Sequence, residues 1–460
     1  MTQAGSSTVH TAYQGLDEQD RAATRLAHDP GTYQRAVPYA ELARLRERHG
    51  VVPVAEPSLP GWPEGEGYWL VLRHEDVEQV VKDPATFSSW LGGTQIRDPA
   101  SEDDLAFVRR MMLNMDPPEH SRLRRMLSRS FTPRAVAKLE EQIRGHVRGI
   151  VDRVLGDAGS GTCDFAKDIA ADLPLLTLAD VLGVPAQDRW LLFDWSNRVI
   201  GWQDPDYATS ASFDADEGTD MARAALALRP SPGPDGLMPD PRSREGMLDL
   251  YTYAHALGEL KRAEPGEDVM SILMAQRDDS GGSVTVEEFE NLFWLFAVAG
   301  NETLRNGIPG GMQSLLWHPE WQQALREDPA LIEPAVDEML RWWTPVMTFR
   351  RTAARDVTVA GVPMTRGDKV VVSFASANRD SDVFPSPDTF DVGREDARAH
   401  LAFGSGPHFC LGAHLARVQM RVMFTELFER TSWIEAAGEP AWLRSNFQRG
   451  VKRLPITWHR

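Results

Sequence analysis

Cysteine is almost absent from this 460-residue chain: Cys163 and Cys410 are the only two, and they are far apart in sequence. That scarcity excludes a disulfide framework and suits a reducing cytoplasm. Positive charge is also in deficit. Lys and Arg number 49 against 67 Asp and Glu, and the net charge of −18 speaks against nucleic acid or an anionic membrane surface as partner. Long apolar runs are missing too; the longest, Leu292 to Gly300, is too short to span a bilayer. The polar stretch from Met1 to Arg21 is not a secretory signal. Neither a glycine-rich dinucleotide loop nor a cysteine cluster occurs, so no fused flavin or iron–sulfur segment is expected. What remains is a soluble cytoplasmic protein whose 42% hydrophobic content is ample for a sizeable core.

Against this background one stretch stands out, Phe403-Gly404-Ser405-Gly406-Pro407-His408-Phe409-Cys410-Leu411-Gly412. Its three glycines let backbone approach a flat macrocycle closely. A thiolate bound axially to haem iron donates electron density and favours O–O cleavage. Leu411, Leu415, Val418 and Val422 begin a helical pattern, so the sulfur falls just before a helix N-terminus, whose N–H groups favour negative charge. Two plainer readings compete. A lone cysteine is commonly a small buried hydrophobe, and His408, Cys410 and His414, with His400 nearby, are closely spaced metal-binding side chains. Structural zinc, however, usually takes four ligands in paired spacings, and no such pair is formed here.

The whole pattern of Phe, three glycines, His and Cys resembles the haem-binding loop of the cytochrome P450 superfamily, with Cys410 as the proximal iron ligand. The resemblance covers the chain from about Tyr39 onward. It implies one domain of mainly α-helix with small β-sheets enclosing haem b, over residues 31–460, behind a flexible tail at residues 1–30. In this likeness Phe403, Gly404, Gly412 and Ala299 border the haem, and His120, Arg124, Arg351 and His408 hold its propionates. Arg350 is the less favoured neighbour of Arg351. His120 and Arg124 lie four apart after Pro117-Pro118, on one face of a helix. Arg122, Arg125 and Arg129 remain on another face as a basic patch that an acidic redox partner could use.

Thr285-Val286-Glu287-Glu288 is a capping box opening a long helix that reaches Ala299-Gly300-Asn301-Glu302-Thr303. A charge after so apolar a run is costly unless it has a role. The resemblance gives Thr303 a hydrogen bond to dioxygen and Glu302 the supply of protons through water, with Ala299 and Gly300 leaving room. Pro309 is expected to kink or end this helix. Glu338 and Arg341, three apart on a helix, form with Arg394 a buried structural triad in the same family. Trp90, Leu91, Phe296, Val298, Ala299, Val346 and Met347 are expected to line an apolar substrate pocket. The proline- and glycine-rich stretch from Gly201 to Arg244 is expected to be a loop between two lid helices.

The function implied is insertion of one atom of O2 into a hydrophobic small molecule of steroid, terpenoid or fatty-chain type. Electrons would come from a separate ferredoxin and its NAD(P)H-dependent reductase. The alternatives are a haem-thiolate ligand-binding or sensing protein without turnover, and a peroxide-using variant.

Overall fold

The computed structural model describes residues 8–59, 62–200, 204, 218–234 and 238–460. Helices dominate it, and the strands gather into four small sheets among the described residues. The largest sheet has the order Val51–Val54, Tyr68–Val71, Lys369–Ser373, Thr348–Ala353, Phe87–Ser88. Its centre joins Tyr68–Val71 to Lys369–Ser373 in parallel, with Trp69 opposite Val370 and Val71 opposite Val372. These two strands are buried along their whole length, which is why they read as continuous apolar runs rather than alternating ones.

The helical core is built from Pro133–Leu155, Glu302–Trp317, Ile332–Trp343 and Ala413–Arg430. Each contributes an apolar stripe at three- and four-residue spacing, such as Leu139, Ile143, Val147 and Ile150 on the first. A second cluster joins Trp190–Ile200 and Leu248–Ala263 to Val286–Ala299. The capping box is formed: Thr285 Oγ1 accepts from Glu288 N at 3.1 Å and Glu288 Oε2 from Thr285 N at 2.9 Å. Among the described residues no helix is long and apolar enough to cross a membrane.

Three expectations are corrected here. Residues 8–30 are not a loose tail: helices cover Thr8–Gln14, Glu18–His28 and Pro30–Tyr33. Asp20, buried at 1% exposure, binds Arg44 at 3.0 Å and His49 at 2.7 Å, and Asn446 Nδ2 donates to the His28 carbonyl at 2.6 Å. The polar composition that suggested disorder is spent on these long-range contacts. Second, Glu302–Trp317 runs unbroken through Pro309, and the long helix is interrupted earlier, at Gly300 and Asn301. Third, the stretch from Gly201 to Arg244 contains a helix, Asp220–Leu226, tied at its N-cap by Asp188 accepting from Thr219 N at 2.8 Å. Most of Gly201–Glu217, and with it much of the expected lid, lies outside the described residues.

Candidate functional site

One cavity brings the sequence motifs together. Its floor is the segment from Ala402 to Gly412, and its roof is the end of the Val286–Ala299 helix with Gly300, Thr303 and Leu304. Cys410 Sγ lines the cavity, and its side chain is exposed onto it. Burial raises the thiol pKa, against the Gly412 N–H and the charges of Arg124 and Arg417, which lower it. The helix Ala413–Arg430 begins just beyond, with Gly412 as its N-cap. A sulfur anion in this place therefore needs a cation facing it. Gly404 (φ 66°) and Gly406 (φ 69°) hold left-handed turns in the floor. A Cβ on Gly406 would come within 2.7 Å of the Val81 carbonyl, so only glycine fits that close approach.

Four bases converge at one side of the cavity: His120, Arg124, Arg351 and His408. Among the described residues no carboxylate forms an ion pair with any of them. Both ring nitrogens of buried His120 lack a hydrogen-bond partner, and its ring lies 4.1 Å from that of His408. Arg351, 4% exposed, donates from Nη1 to the Arg350 carbonyl at 2.8 Å, and burial holds its pKa down to about 10. Burial likewise holds His120 at about 4 and His408 at about 2, the neighbouring arginines adding to both shifts. Buried cations left without anions are expensive. The donor set is that of a site for a carboxylate-bearing group, so two haem propionates fit it, with the macrocycle over Cys410.

A pH prediction follows from His120. Its folded pKa of about 4 lies below the ordinary value of 6.5, so the folded chain binds fewer protons than the unfolded one between those values. The stability it contributes is complete above the upper value and is lost as pH falls toward the lower, by up to about 3 kcal/mol in the cofactor-free protein. A carboxylate beside the ring opposes that loss. Urea unfolding at neutral and mildly acid pH should show a steeper decline for cofactor-free than for haem-loaded protein; equal declines would mean that no anion sits at His120.

On the roof, Thr303 Oγ1 donates to the Ala299 carbonyl at 3.0 Å, beside the break at Gly300 and Asn301. A Cβ on Gly300 would lie 2.9 Å from the Phe296 carbonyl and 3.0 Å from Leu178. Glu302 does not line the cavity or face water: it is fully buried and bonds Arg305 Nη1 at 2.8 Å, with Asn306 Nδ2 at 3.5 Å. Arg305 also donates to Asn197 Oδ1 at 2.6 Å and stacks 4.2 Å from the Phe193 ring.

Of the expected pocket residues, Phe296, Ala299 and Val346 line the cavity. Trp90 (42% exposed) and Leu91 (39%) do not; Arg109 lies 5.1 Å from the Trp90 ring and donates to its carbonyl. Val298 is turned into the packing between helices, and Met347 is buried beside Tyr33 and Ala375. Residues missing from the sequence reading include Leu113, Thr177, Leu178, Val181 and Phe349. Thr177, Leu178 and Val181 share the helix Asp172–Leu182, whose largely apolar sequence gave no sign of a cavity.

The basic patch is not free. Arg122 pairs with Glu288 and, at 3.1 Å, with Asp278, while Arg125 and Arg129 reach Asp279 at 3.6 and 3.0 Å. Nor do the zinc candidates gather. His414 faces Glu140 and His400 faces Asp337, both at 3.2 Å, and no group of three or more metal-binding side chains occurs among the described residues. Glu338 and Arg341 form a bidentate pair at 2.6 and 2.8 Å, with Arg394 at 3.4 Å from the same carboxylate. Arg350 points away from the cavity to Asp98, at 2.5 Å.

Comparison with known proteins agrees with this arrangement. A family model described as Cytochrome P450 matches residues 257–455. Steroid C26-monooxygenase of Rhodococcus jostii is 34% identical over 434 residues, 94% of this chain and 84% of that protein. Methyl-branched lipid omega-hydroxylase of Mycobacterium tuberculosis is 36% identical over 403 residues, 87% of this chain and 86% of the other. Among solved structures, CYP268A2 of Mycobacterium marinum in complex with pseudoionone superposes with a TM-score of 0.76 at 32% identity, covering 99% of this chain and all of that one (100%). CYP108D1 of Novosphingobium aromaticivorans gives 0.79 at 29% identity, covering 95% and 98%.

Proposed function

Because the chain belongs to the cytochrome P450 family and is a haem-thiolate monooxygenase, we propose that it hydroxylates the branched aliphatic end of a steroid or methyl-branched lipid. The relatives named for those substrates support this choice, and so do the apolar cavity walls of Phe296, Val346, Leu178 and Phe349. The single observation that carries the reading is Cys410 Sγ lying under a roof made of Ala299, Gly300 and Thr303. Cys410 would hold the iron of haem b, and the bound cofactor would supply the chemistry of O2 activation and C–H oxidation.

The remaining work falls to the chain's own residues. His120, Arg124, Arg351 and His408 orient the cofactor by binding its propionates. The apolar walls exclude water and hold the hydrocarbon end of the substrate over the reactive face. The Thr303 hydroxyl, now bonded to the Ala299 carbonyl, turns to donate at the oxygen side of the cavity. Glu302 is the proton relay behind it: its carboxylate must leave Arg305 and take up a proton from solvent water before passing it on. Electrons come from a separate ferredoxin and its NAD(P)H-dependent reductase in the cytoplasm. With Arg122, Arg125 and Arg129 occupied by Asp278, Asp279 and Glu288, that partner docks elsewhere.

The test is a spectral titration of the holoenzyme with branched lipids and steroids, followed by product analysis with a surrogate ferredoxin system. Oxygen at a terminal methyl carbon of the branch is expected; oxygen only on the ring system, or no turnover with either class, would overturn the reading. Thr303→Ala is expected to keep the haem and the substrate-induced spectral shift while hydroxylation falls by about 10-fold to 100-fold and peroxide release rises. Measuring product and peroxide against NADPH consumed checks it, and a fully coupled variant would remove Thr303 from oxygen activation.

A further inference from the structure

A second cavity, of about 290 Å³, lies behind the segment Thr344–Met347. Pro345 and Val346 line the first cavity, whereas Trp343 and Met347 line this one. The walls include four indoles and three guanidinium groups. Trp343 and Trp442 stand 5.7 Å apart, and Trp317, nearly half exposed, is 6.3 Å from each. Arg449 lies 3.7 Å from the Trp343 ring, while Arg379 lies 3.6 Å from Trp342 and 4.2 Å from Tyr39.

The charge at this cavity is lopsided. Three arginines, Arg35, Arg379 and Arg449, contribute to the lining, and no Asp or Glu among the described residues does. Arg379 is neutralised by Asp388 at 2.8 Å. Arg449 is not paired with any carboxylate among the described residues: its Nη1 donates to the Tyr39 hydroxyl at 3.0 Å and to the carbonyls of Trp342 and Trp343 at 3.0 and 3.1 Å. Exposed Arg35 at the rim has no carboxylate partner among the described residues either. On a chain of net charge −18, two uncompensated arginines at an aromatic-walled cavity are complementary to an anion with a flat apolar body.

We propose that this cavity binds a planar aromatic carboxylate, its charge on Arg449 and Arg35 and its rings against Trp442 and Trp317. The occupant would rest on backbone shared with the first cavity. Arg449 N donates to the Pro345 carbonyl at 2.9 Å and Met347 N to the Phe447 carbonyl at 2.8 Å.

The experiment uses the holoenzyme with its iron saturated by 4-phenylimidazole, so that the first cavity is filled and its state is read from the Soret band. 2-Naphthoate is then titrated by calorimetry and tryptophan emission, with the neutral 2-naphthamide as control. One equivalent of the acid is expected to bind, with the amide about tenfold or more weaker. Arg35→Gln, at an exposed rim position, and Arg449→Lys, which keeps the charge but loses the fork, should each weaken the acid about tenfold while leaving the Soret band unchanged. Absence of saturable binding to the blocked holoenzyme, equal affinity for acid and amide, or unaltered affinity in Arg35→Gln would each overturn the proposal.

Discussion

Cys410→Ser is expected to fold, to retain haem loosely or partly, and to lose the red-shifted Soret band of the reduced carbon-monoxide complex, with hydroxylation falling to background. The substitution replaces sulfur by oxygen in a cavity wall, so it removes little volume and leaves the Gly412 N–H its acceptor. What it removes is the soft, strongly donating ligand on which O–O cleavage depends. The four-base cluster of His120, Arg124, Arg351 and His408 is untouched, which is why cofactor retention and thiolate spectrum should separate. Reduced carbon-monoxide spectra and product assays on one preparation decide the matter. A variant with the parental spectrum would mean that Cys410 does not reach the iron.

Glu338→Ala is expected to be the most damaging single change away from the cavity. Glu338 and Arg341 are both fully buried, and the carboxylate holds Arg341 through two bonds, Arg394 through one, and the Asp391 N–H at 3.0 Å. Removing it leaves Arg341 inside the fold facing carbonyl oxygens, such as those of Asn378 and Pro387, and leaves Arg394 only the more distant carboxylate of Asp396 at 3.5 Å among the described residues. Breaking a buried pair from one side costs about 3–5 kcal/mol, a large share of the roughly 5–15 kcal/mol that keeps a domain folded. Arg394→Ala, removing a longer contact at the edge of the cluster, should cost clearly less. Denaturant unfolding of the haem-loaded variants measures the order. A loss under about 1 kcal/mol for Glu338→Ala would show that the cluster is not a structural tie.

Much of the site was legible because its signals are local. The glycine spacing around Cys410, the four-residue interval from His120 to Arg124 and the small residues before Glu302 are each read within one turn or loop. Helical phase explains one miss. Phe296, Ala299, Gly300 and Thr303 share a face, whereas Val298 stands well round the helix from them and packs between helices. Extended backbone explains another, since successive side chains alternate: Val346 meets the cavity and Met347 turns away, just as Arg351 enters it and Arg350 leaves for Asp98. Thr344, in the left-handed region at φ 50°, sets that phase by ending its helix, and nothing in the type of residue announces it. The arginine patch was misread for a different reason. Its acids lie more than a hundred residues further on, so no local pattern could reveal them.

The bond from Asn446 to the His28 carbonyl spans 418 positions of sequence. On a ribosome, His28 emerges long before Asn446 exists, so this tie closes only when nearly all of the chain is made, well after the contacts of Asp20 with Arg44 and His49 can form. During that interval Tyr68–Val71, until its partner Lys369–Ser373 is made, offers an open edge to passing strands of other molecules. Yield on expression should therefore respond to chaperone supply more strongly than the finished protein's resistance to heat would suggest.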